Sequence, residues 1–163
     1  MKQIIDYFQA ERFESLVFIG IGVLSILLCI YFIFYLKQDF HKGFSVPVLI
    51  IALIQIFVGS TIFFRSPKDI TRVQQYVDSQ PDSIKTIEIP RMQKVMKSFQ
   101  VYLYIELFLF LAGGIMILVS NPNSLQRGAG VGLGLDAIIM LIADYFAMSR
   151  GATYLEFLLS LTK

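Results

Sequence analysis

Four long apolar runs constrain this chain more than any other feature of its sequence. They cover residues 15–36, 44–64, 101–119 and 129–148. Each is about the length that an α-helix, rising about 1.5 Å per residue, needs to cross the roughly 30 Å hydrocarbon core of a bilayer. A soluble fold would have to bury all four helices, and too little chain remains to cover them. The sequence therefore predicts four membrane-spanning helices.

The composition of the chain excludes several other classes of protein. Hydrophobic residues make up 56% of the sequence, against roughly 45–50% in soluble domains. The net charge is only +2, and no basic stripe alternates with aromatic residues, so we expect no nucleic-acid partner. Glu11 and Glu14 directly precede the first apolar run, where a cleavable signal peptide would be basic. The lone Cys29 lies inside that run and behaves as a small hydrophobe.

The positive charges predict the orientation of the helices. An even number of spans places both termini and the central linker on one side of the membrane. That side carries every lysine and arginine except Lys37, Lys42 and Arg127. Cations near helix ends favour the cytoplasmic side, so we expect both termini and the linker to be cytoplasmic.

The short outer loops predict the fold. Loops 38–43 and 121–128 each force a tight antiparallel hairpin. We expect one all-α transmembrane domain over residues 1–163, built as two antiparallel hairpins with short amphipathic cytoplasmic helices. Its spans are predicted at about 15–36, 44–65, 98–120 and 129–149, its cytoplasmic linker at 66–97 and an interfacial tail at 151–163.

Local signals divide the linker into two helices. Ser66 followed by Pro67 predicts a helix start with Ser66 as its N-cap. Gln-Pro-Asp at 80–82 predicts a break, and Pro90 predicts the start of one long helix that reaches Val119.

Three cations give this long helix a basic face near the membrane. They are Arg91, Lys94 and Lys97. One interpretation is the ordinary cytoplasmic excess of positive charge. The other is contact with anionic lipid headgroups, worth roughly 1 kcal/mol per cation.

Carboxylates inside the apolar runs are the costly choices in this sequence. An acid at a helix centre costs about 2.5–3.5 kcal/mol on insertion scales, so it is expected to face a partner inside the bundle. Glu106 on the third span and Asp144 on the fourth should lie at similar depth, with Asp136 about two turns further out. The predicted intramembrane polar cluster comprises Glu106, Asp136, Asp144, Gln55, Arg65, Arg150 and Tyr102.

Two interpretations of this cluster remain open at the level of sequence. In the first, the acids are structural, and Arg65 or Arg150 reaches inward to neutralise Glu106 or Asp144. In the second, two acids at one depth form a protonatable or cation-binding site.

Alternating glycines open the fourth span. They form two overlapping small-xxx-small pairs, which allow close approach of another helix backbone, either within the chain or in a second copy. The pattern lacks the lysine and the preceding strand of a phosphate loop. The expected helix-packing glycines are Gly128, Gly130, Gly132 and Gly134.

No residue pattern predicts catalysis. The only histidine, His41, lies in an outer loop far from the buried acids. No His/Cys/Asp cluster has the spacing of metal ligands, and no nucleophile–histidine pair can meet at one depth. We therefore expect no enzyme activity, no metal and no cofactor.

The second half of the chain carries two further patterns. One is Glu88-Ile89-Pro90-Arg91-Met92 followed by Val95, Phe99 and Glu106; the other is Asp144-Tyr145-Phe146-Ala147 followed by Arg150 and Tyr154-Leu155. Both are similar to patterns in a group of small four-span bacterial inner-membrane proteins. The resemblance implies a bacterial inner-membrane location and no particular activity. It singles out Glu88, Arg91, Glu106, Asp144 and Arg150 for testing.

Three functional hypotheses follow, in decreasing order of support from the sequence. The first is a non-enzymatic accessory, regulatory or interaction subunit, whose partners are the lipid bilayer and either a second copy or another membrane protein. The second is a proton or cation pathway through the intramembrane carboxylates. The third is a membrane enzyme acting on lipid, which would need a polar cavity that the sequence gives no reason to expect.

Overall fold

The computed structural model describes residues 2–162, and it is all-helical. Four of its helices are long and apolar enough to cross a membrane, as the sequence predicts. The long helices are α1 (Lys2–Tyr31), α2 (Asp39–Ser79), α4 (Ile89–Val119) and α5 (Leu125–Ser160). A π-helical turn, Phe32–Leu36, extends α1. The segment before α4 consists of a short helix α3 (Pro81–Ser83) and a second π-helical turn, Ile84–Glu88.

The helices extend well beyond the predicted spans. The N-terminal arm is the beginning of α1, and the predicted interfacial tail is the end of α5. The structure thus has continuous extensions where the sequence suggested separate short helices. The reason is visible in the tail, where no helix breaker follows the span and Tyr154 and Leu158 are buried. Tertiary packing of these side chains stabilises the additional turns.

The predicted helix start at Ser66 is wrong, because α2 runs unbroken through this position. The Ser66 hydroxyl donates to the carbonyl of Ile62 at 2.8 Å, as a residue inside a helix does. Asp69 and Val73, on the turns that follow, are both buried. Their packing outweighs the local preference of proline for a first helical turn.

The predicted break at residues 80–82 is confirmed. Gln80 has a non-helical φ of −143°, and Pro81 occupies the first position of α3. A proline without an N–H fits this position well.

Close contacts at glycines give the order of the helices in a row α1–α2–α5–α4. A Cβ on Gly22 would lie 3.0 Å from the carbonyl oxygen of Ala52, and one on Gly59 would lie 2.9 Å from that of Ser15. Along this contact, residue numbers rise on α1 as they fall on α2, so these two helices run in opposite directions. A Cβ on Gly132 would lie 2.7 Å from the carbonyl oxygen of Phe44, which places α5 directly against α2.

The hydrophobic core lies at the base of the molecule, where the extensions of the helices meet. Along the spans most large apolar side chains are exposed, as a lipid environment requires. The base, by contrast, is packed like the interior of a soluble protein. Its buried residues are Ile4, Phe8, Val73, Ile84, Ile89, Met92, Tyr154 and Leu158.

Candidate functional site

Two groups of buried ionisable side chains lie at different heights on the same helices. The upper group, here called the membrane pair, is Glu106 on α4 and Asp144 on α5. The lower group, here called the base cluster, joins α1, α2, α4, α5 and the turn before α4. Its members are Glu11, Arg65, Asp69, Arg72, Glu88, Arg91 and Tyr154.

Glu88 is the centre of the base cluster. Its side chain is 0% exposed. Arg91 donates to its two oxygens from Nε at 2.9 Å and from Nη2 at 2.6 Å, a bidentate pair. The Tyr154 hydroxyl lies 3.2 Å from Oε1, and Arg72 Nη2 lies 3.6 Å from Oε2. Three helices, α2, α4 and α5, therefore each place a polar group near one buried carboxylate.

Asp69 extends the base cluster towards α1. Arg65 Nε lies 2.9 Å and Arg72 Nη1 lies 2.8 Å from its oxygens. Arg65 also reaches Glu11 of α1 at 3.3 Å. The arginines bridge the acids, so the cluster is a connected network and not a set of isolated pairs.

Burial changes the acid–base properties of the base cluster and its neighbours below the spans. It raises the pKa of the Tyr7 and Tyr154 hydroxyls above the ordinary tyrosine value, and the charge of Glu88 raises the pKa of Tyr154 further. For Glu11, burial raises the carboxyl pKa although Arg65 lowers it in part. Burial by itself would lower the pKa of Arg91, but the hydrogen bonds and charge of Glu88 raise it. Arg91 therefore stays charged.

The membrane pair is held without a cation. Glu106 is 1% exposed. It lies beside Asp144, near enough for the two carboxyls to interact. Neither oxygen of Glu106 has a hydrogen-bond partner among residues 2–162. A single proton shared between the two carboxyls would remove their like-charge repulsion and let one of these oxygens take part in a hydrogen bond.

Neither arginine expected to neutralise the membrane pair does so. Arg65 is paired with Glu11 and Asp69, and Arg150 is paired with Glu14. No ion pair within the described part of the chain joins Glu106 or Asp144 to a cation. The extension of α1 below its span brings acids within reach of both arginines, which a reading of separate spans does not anticipate.

The other members of the predicted polar cluster are dispersed. Asp136 is buried, and its Oδ2 has no hydrogen-bond partner among the described residues. Gln55 is likewise buried, with Nε2 unpartnered within the same set. Tyr102 is 50% exposed and contacts Phe99 edge-on, away from the acids. The cluster of seven residues thus reduces to the membrane pair and two separate polar groups.

The glycines at the start of α5 face two different helices. Gly128 and Gly132 meet the backbone of α2 at Phe40 and Phe44, whereas Gly130 meets α4, where its Cβ would lie 2.7 Å from the carbonyl oxygen of Gly113. A Cβ on Gly134 would meet nothing within 4 Å. The alternating pattern therefore serves contacts within the chain on opposite sides of one helix.

The predicted basic face is divided in the structure. Lys94 and Lys97 are exposed. Arg91 is turned inward to Glu88 and its side chain is only 23% exposed. The base cluster takes this cation away from the surface.

Sequence reasoning from the spans did not find the base cluster. Its signals were local pairs of opposite charge at helical spacing, Arg65 with Asp69 at four residues and Asp69 with Arg72 at three. Such pairs are common on exposed helix faces, so nothing in the sequence distinguished a buried one.

Metal binding and known relatives add no assignment. Within residues 2–162, no group of three histidine, cysteine or acidic side chains is placed to hold a metal ion. No protein-family model, no curated protein and no solved structure matches this chain.

Proposed function

We propose that this chain is a non-enzymatic membrane protein of a regulatory or accessory kind, in which the membrane pair controls the contact between α4 and α5 by binding one proton. The observation that carries the proposal is the facing of Glu106 and Asp144 without a cation. Four apolar helices provide the multi-pass membrane setting.

The proposed control works through charge repulsion. With one shared proton, one carboxyl donates to the other and α4 rests on α5. Without it, two carboxylates oppose each other at close range, and like charges about 4 Å apart repel by about 4 kcal/mol at an effective dielectric constant of 20. Asp144 also acts on Glu14 of α1, which is paired with Arg150. Because α4 is the last helix of the row and packs mainly on α5, repulsion within the membrane pair would act on this one helix contact.

The test is the pH dependence of stability in the purified protein. We expect the wild type to lose thermal stability as the pH rises, since the shared proton is lost in this direction. Glu106→Gln and Asp144→Asn should each flatten the curve, because an amide can donate to the remaining carboxylate. Glu156→Gln, at an exposed position on α5, is the matched control and should behave like wild type. Equal slopes in all four proteins would overturn the proposal.

A proton or cation pathway is the second candidate. The observation in its favour is the pair of unpartnered polar atoms, Gln55 Nε2 and Asp136 Oδ2, elsewhere inside the helices. Its test is ion flux in proteoliposomes, comparing wild type with a variant carrying Glu106→Gln, Asp136→Asn and Asp144→Asn. Equal flux removes this candidate.

We also propose that the helices form two antiparallel hairpins in a bacterial inner membrane, with both termini and the linker in the cytoplasm. The charge asymmetry between the two sides supports this orientation. In a Cys29→Ala background, a cysteine at Asn123 should react with an impermeant reagent in intact cells, and one at Ser83 should not. The reverse labelling would contradict the orientation.

A regulatory subunit needs a partner, and the flanks of the row offer the surface for one. α1 and α4 flank the row and expose large apolar side chains along their spans. A second copy or another membrane protein would bury these faces. Cross-linking and affinity purification in mild detergent should therefore recover a complex, and recovery of a lone monomer counts against the regulatory role.

A further inference from the structure

A lateral cleft between α1 and α5 has two parts, both mainly apolar, of which the lower has the larger polar share. The upper part has a volume of about 310 Å³ and is mostly apolar. The lower part has a volume of about 430 Å³. The upper part is lined by apolar side chains, which include Phe13, Val17, Phe18, Ile21, Ile139 and Phe146. The lower part also has polar groups in its lining, which include Gln3, Asp6, Tyr7, Ser149 and Thr153. Both volumes fall within the roughly 300–1,000 Å³ of small-molecule sites.

Arg150 lies where the two parts meet, since it lines both of them together with Ala10. Its side chain is 33% exposed, and one of its terminal nitrogens bonds Glu14. A guanidinium has five N–H donors, so donors remain for an anion in the cleft. The residue directly follows the predicted fourth span, which places it at the depth of lipid headgroups.

We propose that this cleft binds one phospholipid that carries a primary amine in its headgroup. An acyl chain lies in the upper part between α1 and α5. The phosphate lies against Arg150, and the ammonium group lies in the lower part near Asp6. Along the cleft, the apolar wall is followed by the Glu14–Arg150 pair and then by Asp6, and the order of Arg150 and Asp6 matches the order of phosphate and ammonium in such a lipid.

The chemistry of the two ends predicts selectivity among lipids. A primary ammonium group donates hydrogen bonds to Asp6, whereas a quaternary choline cannot. A glycerol headgroup has no positive charge to offer Asp6. A diacylglycerol lacks the phosphate that Arg150 would bind. Neither Glu106 nor Asp144 lines the cleft, so lipid binding can be tested without changing either acid of the membrane pair.

The experiment is lipid binding to the delipidated full-length chain, measured by native mass spectrometry with phosphatidylethanolamine, phosphatidylcholine, phosphatidylglycerol and diacylglycerol. We expect phosphatidylethanolamine to bind about tenfold more tightly than the others, the difference that one charge-assisted hydrogen bond supplies. Asp6→Asn should remove the preference over phosphatidylglycerol. Arg150→Gln should weaken all three phospholipids about tenfold and bring them to the level of diacylglycerol.

Two further variants keep the result interpretable. Arg150→Gln leaves Glu14 unpaired, so the double variant Glu14→Gln/Arg150→Gln provides a folded protein without the cation. Ala143→Leu fills the upper part and should weaken every lipid by its acyl chain. Lys94→Gln, at an exposed position outside the cleft, should change nothing. Equal binding of all four lipids, or binding unaffected by the double variant and Ala143→Leu, would overturn the proposal and indicate annular lipid only.

Discussion

The base cluster and the membrane pair solve the same problem in different ways. Each contains carboxyl groups, the buried Glu88 and Asp69 below the spans and the buried Glu106 with the half-buried Asp144 within them. At the base, three arginines form ion pairs with the acids. In the membrane pair, the two acids lie side by side and no described cation joins them. The first arrangement sets positive charges against negative ones, whereas in the second a shared proton would take the place of the cation.

The difference follows from depth in the membrane. Arginines are tolerated below the spans, where their long side chains reach both protein and water. An arginine placed at the depth of Glu106 would itself be costly, so a proton is the less expensive partner for a carboxylate there. We infer that the base cluster holds the fold together and that the membrane pair is the part that responds to conditions.

The largest effect is expected at the base. Arg91→Met leaves the fully buried Glu88 with Tyr154 and a distant Arg72 only, and breaking a buried pair typically costs about 3–5 kcal/mol. Thermal unfolding in detergent measures the loss. The double variant Glu88→Met/Arg91→Met should recover most of it, since no buried charge is then left alone. Lys94→Met, one turn further on an exposed face, is the control, and a loss of similar size there would break the comparison.

A substitution that forces α4 and α5 apart tests the membrane pair without changing its acids. Gly130→Ala places a Cβ 2.7 Å from the carbonyl oxygen of Gly113, so the two helices must move apart, at a cost of about 1–3 kcal/mol. We expect lower stability together with a weaker dependence on pH, because the carboxyls no longer meet. Gly114→Ala, where a Cβ meets nothing within 4 Å, should leave the pH dependence unchanged and raise stability by about 0.5–1 kcal/mol. If the pH dependence of stability is unaltered in Gly130→Ala, the membrane pair does not control the α4–α5 contact.

Tyr154 should make the base respond to pH in alkaline solution. The pKa of Tyr154 is raised in the folded protein, so its contribution to stability is complete below about pH 10, the ordinary tyrosine value, and is lost as the pH rises through the folded pKa. Tyr154→Phe should weaken this alkaline loss, and it should cost about 1 kcal/mol near neutral pH through the missing bond to Glu88. The control is Tyr145→Phe, at an exposed position. If Tyr154→Phe loses stability in alkaline solution as strongly as the wild type does, another group is responsible for that loss.

The smallest effect is expected at the edge of the base cluster. Burial raises the pKa of Glu11 in the folded protein, so its protonation stabilises the fold below the ordinary glutamate value of about 4.5, and this contribution is lost as the pH rises through the folded pKa. Glu11→Gln should flatten that part of the stability curve by less than about 1 kcal/mol, since its partner Arg65 is largely exposed. Asp39→Asn on the outer side is the control. An equal change in its stability curve would show that the burial of Glu11 is not the cause of the effect.

The sequence predicts those features that depend on a short stretch of chain. Span length and hydropathy identified the four helices, and Pro81 marked the break that follows α2. Depth counting also placed Glu106 and Asp144 at one level, and the structure brings them together. The partners of Arg65 and Arg150 were not predictable, because they lie on α1 and depend on how far that helix extends below the membrane.

Local propensity failed where distant packing decides the conformation. Ser66 and Pro67 have the preferences of a helix start, yet the helix continues because Val73, two turns later, is needed in the core at the base. The same reasoning applies to the end of α5, where Tyr154 and Leu158 complete that core.

The uninterrupted course of α2 has a mechanical consequence. Its 41 residues form a rod roughly 60 Å long, which joins the outer loop to the base. A tilt of about 5° around the outer end would displace the other end by about 5 Å, which follows from that length alone. Moved as one body, such a rod would carry a disturbance at Phe40 or Phe44 to Asp69, and Pro47 and Pro67 are the points between them where it would bend most easily. A movement of this kind would couple events at the outer loop to the arrangement of charges at the base.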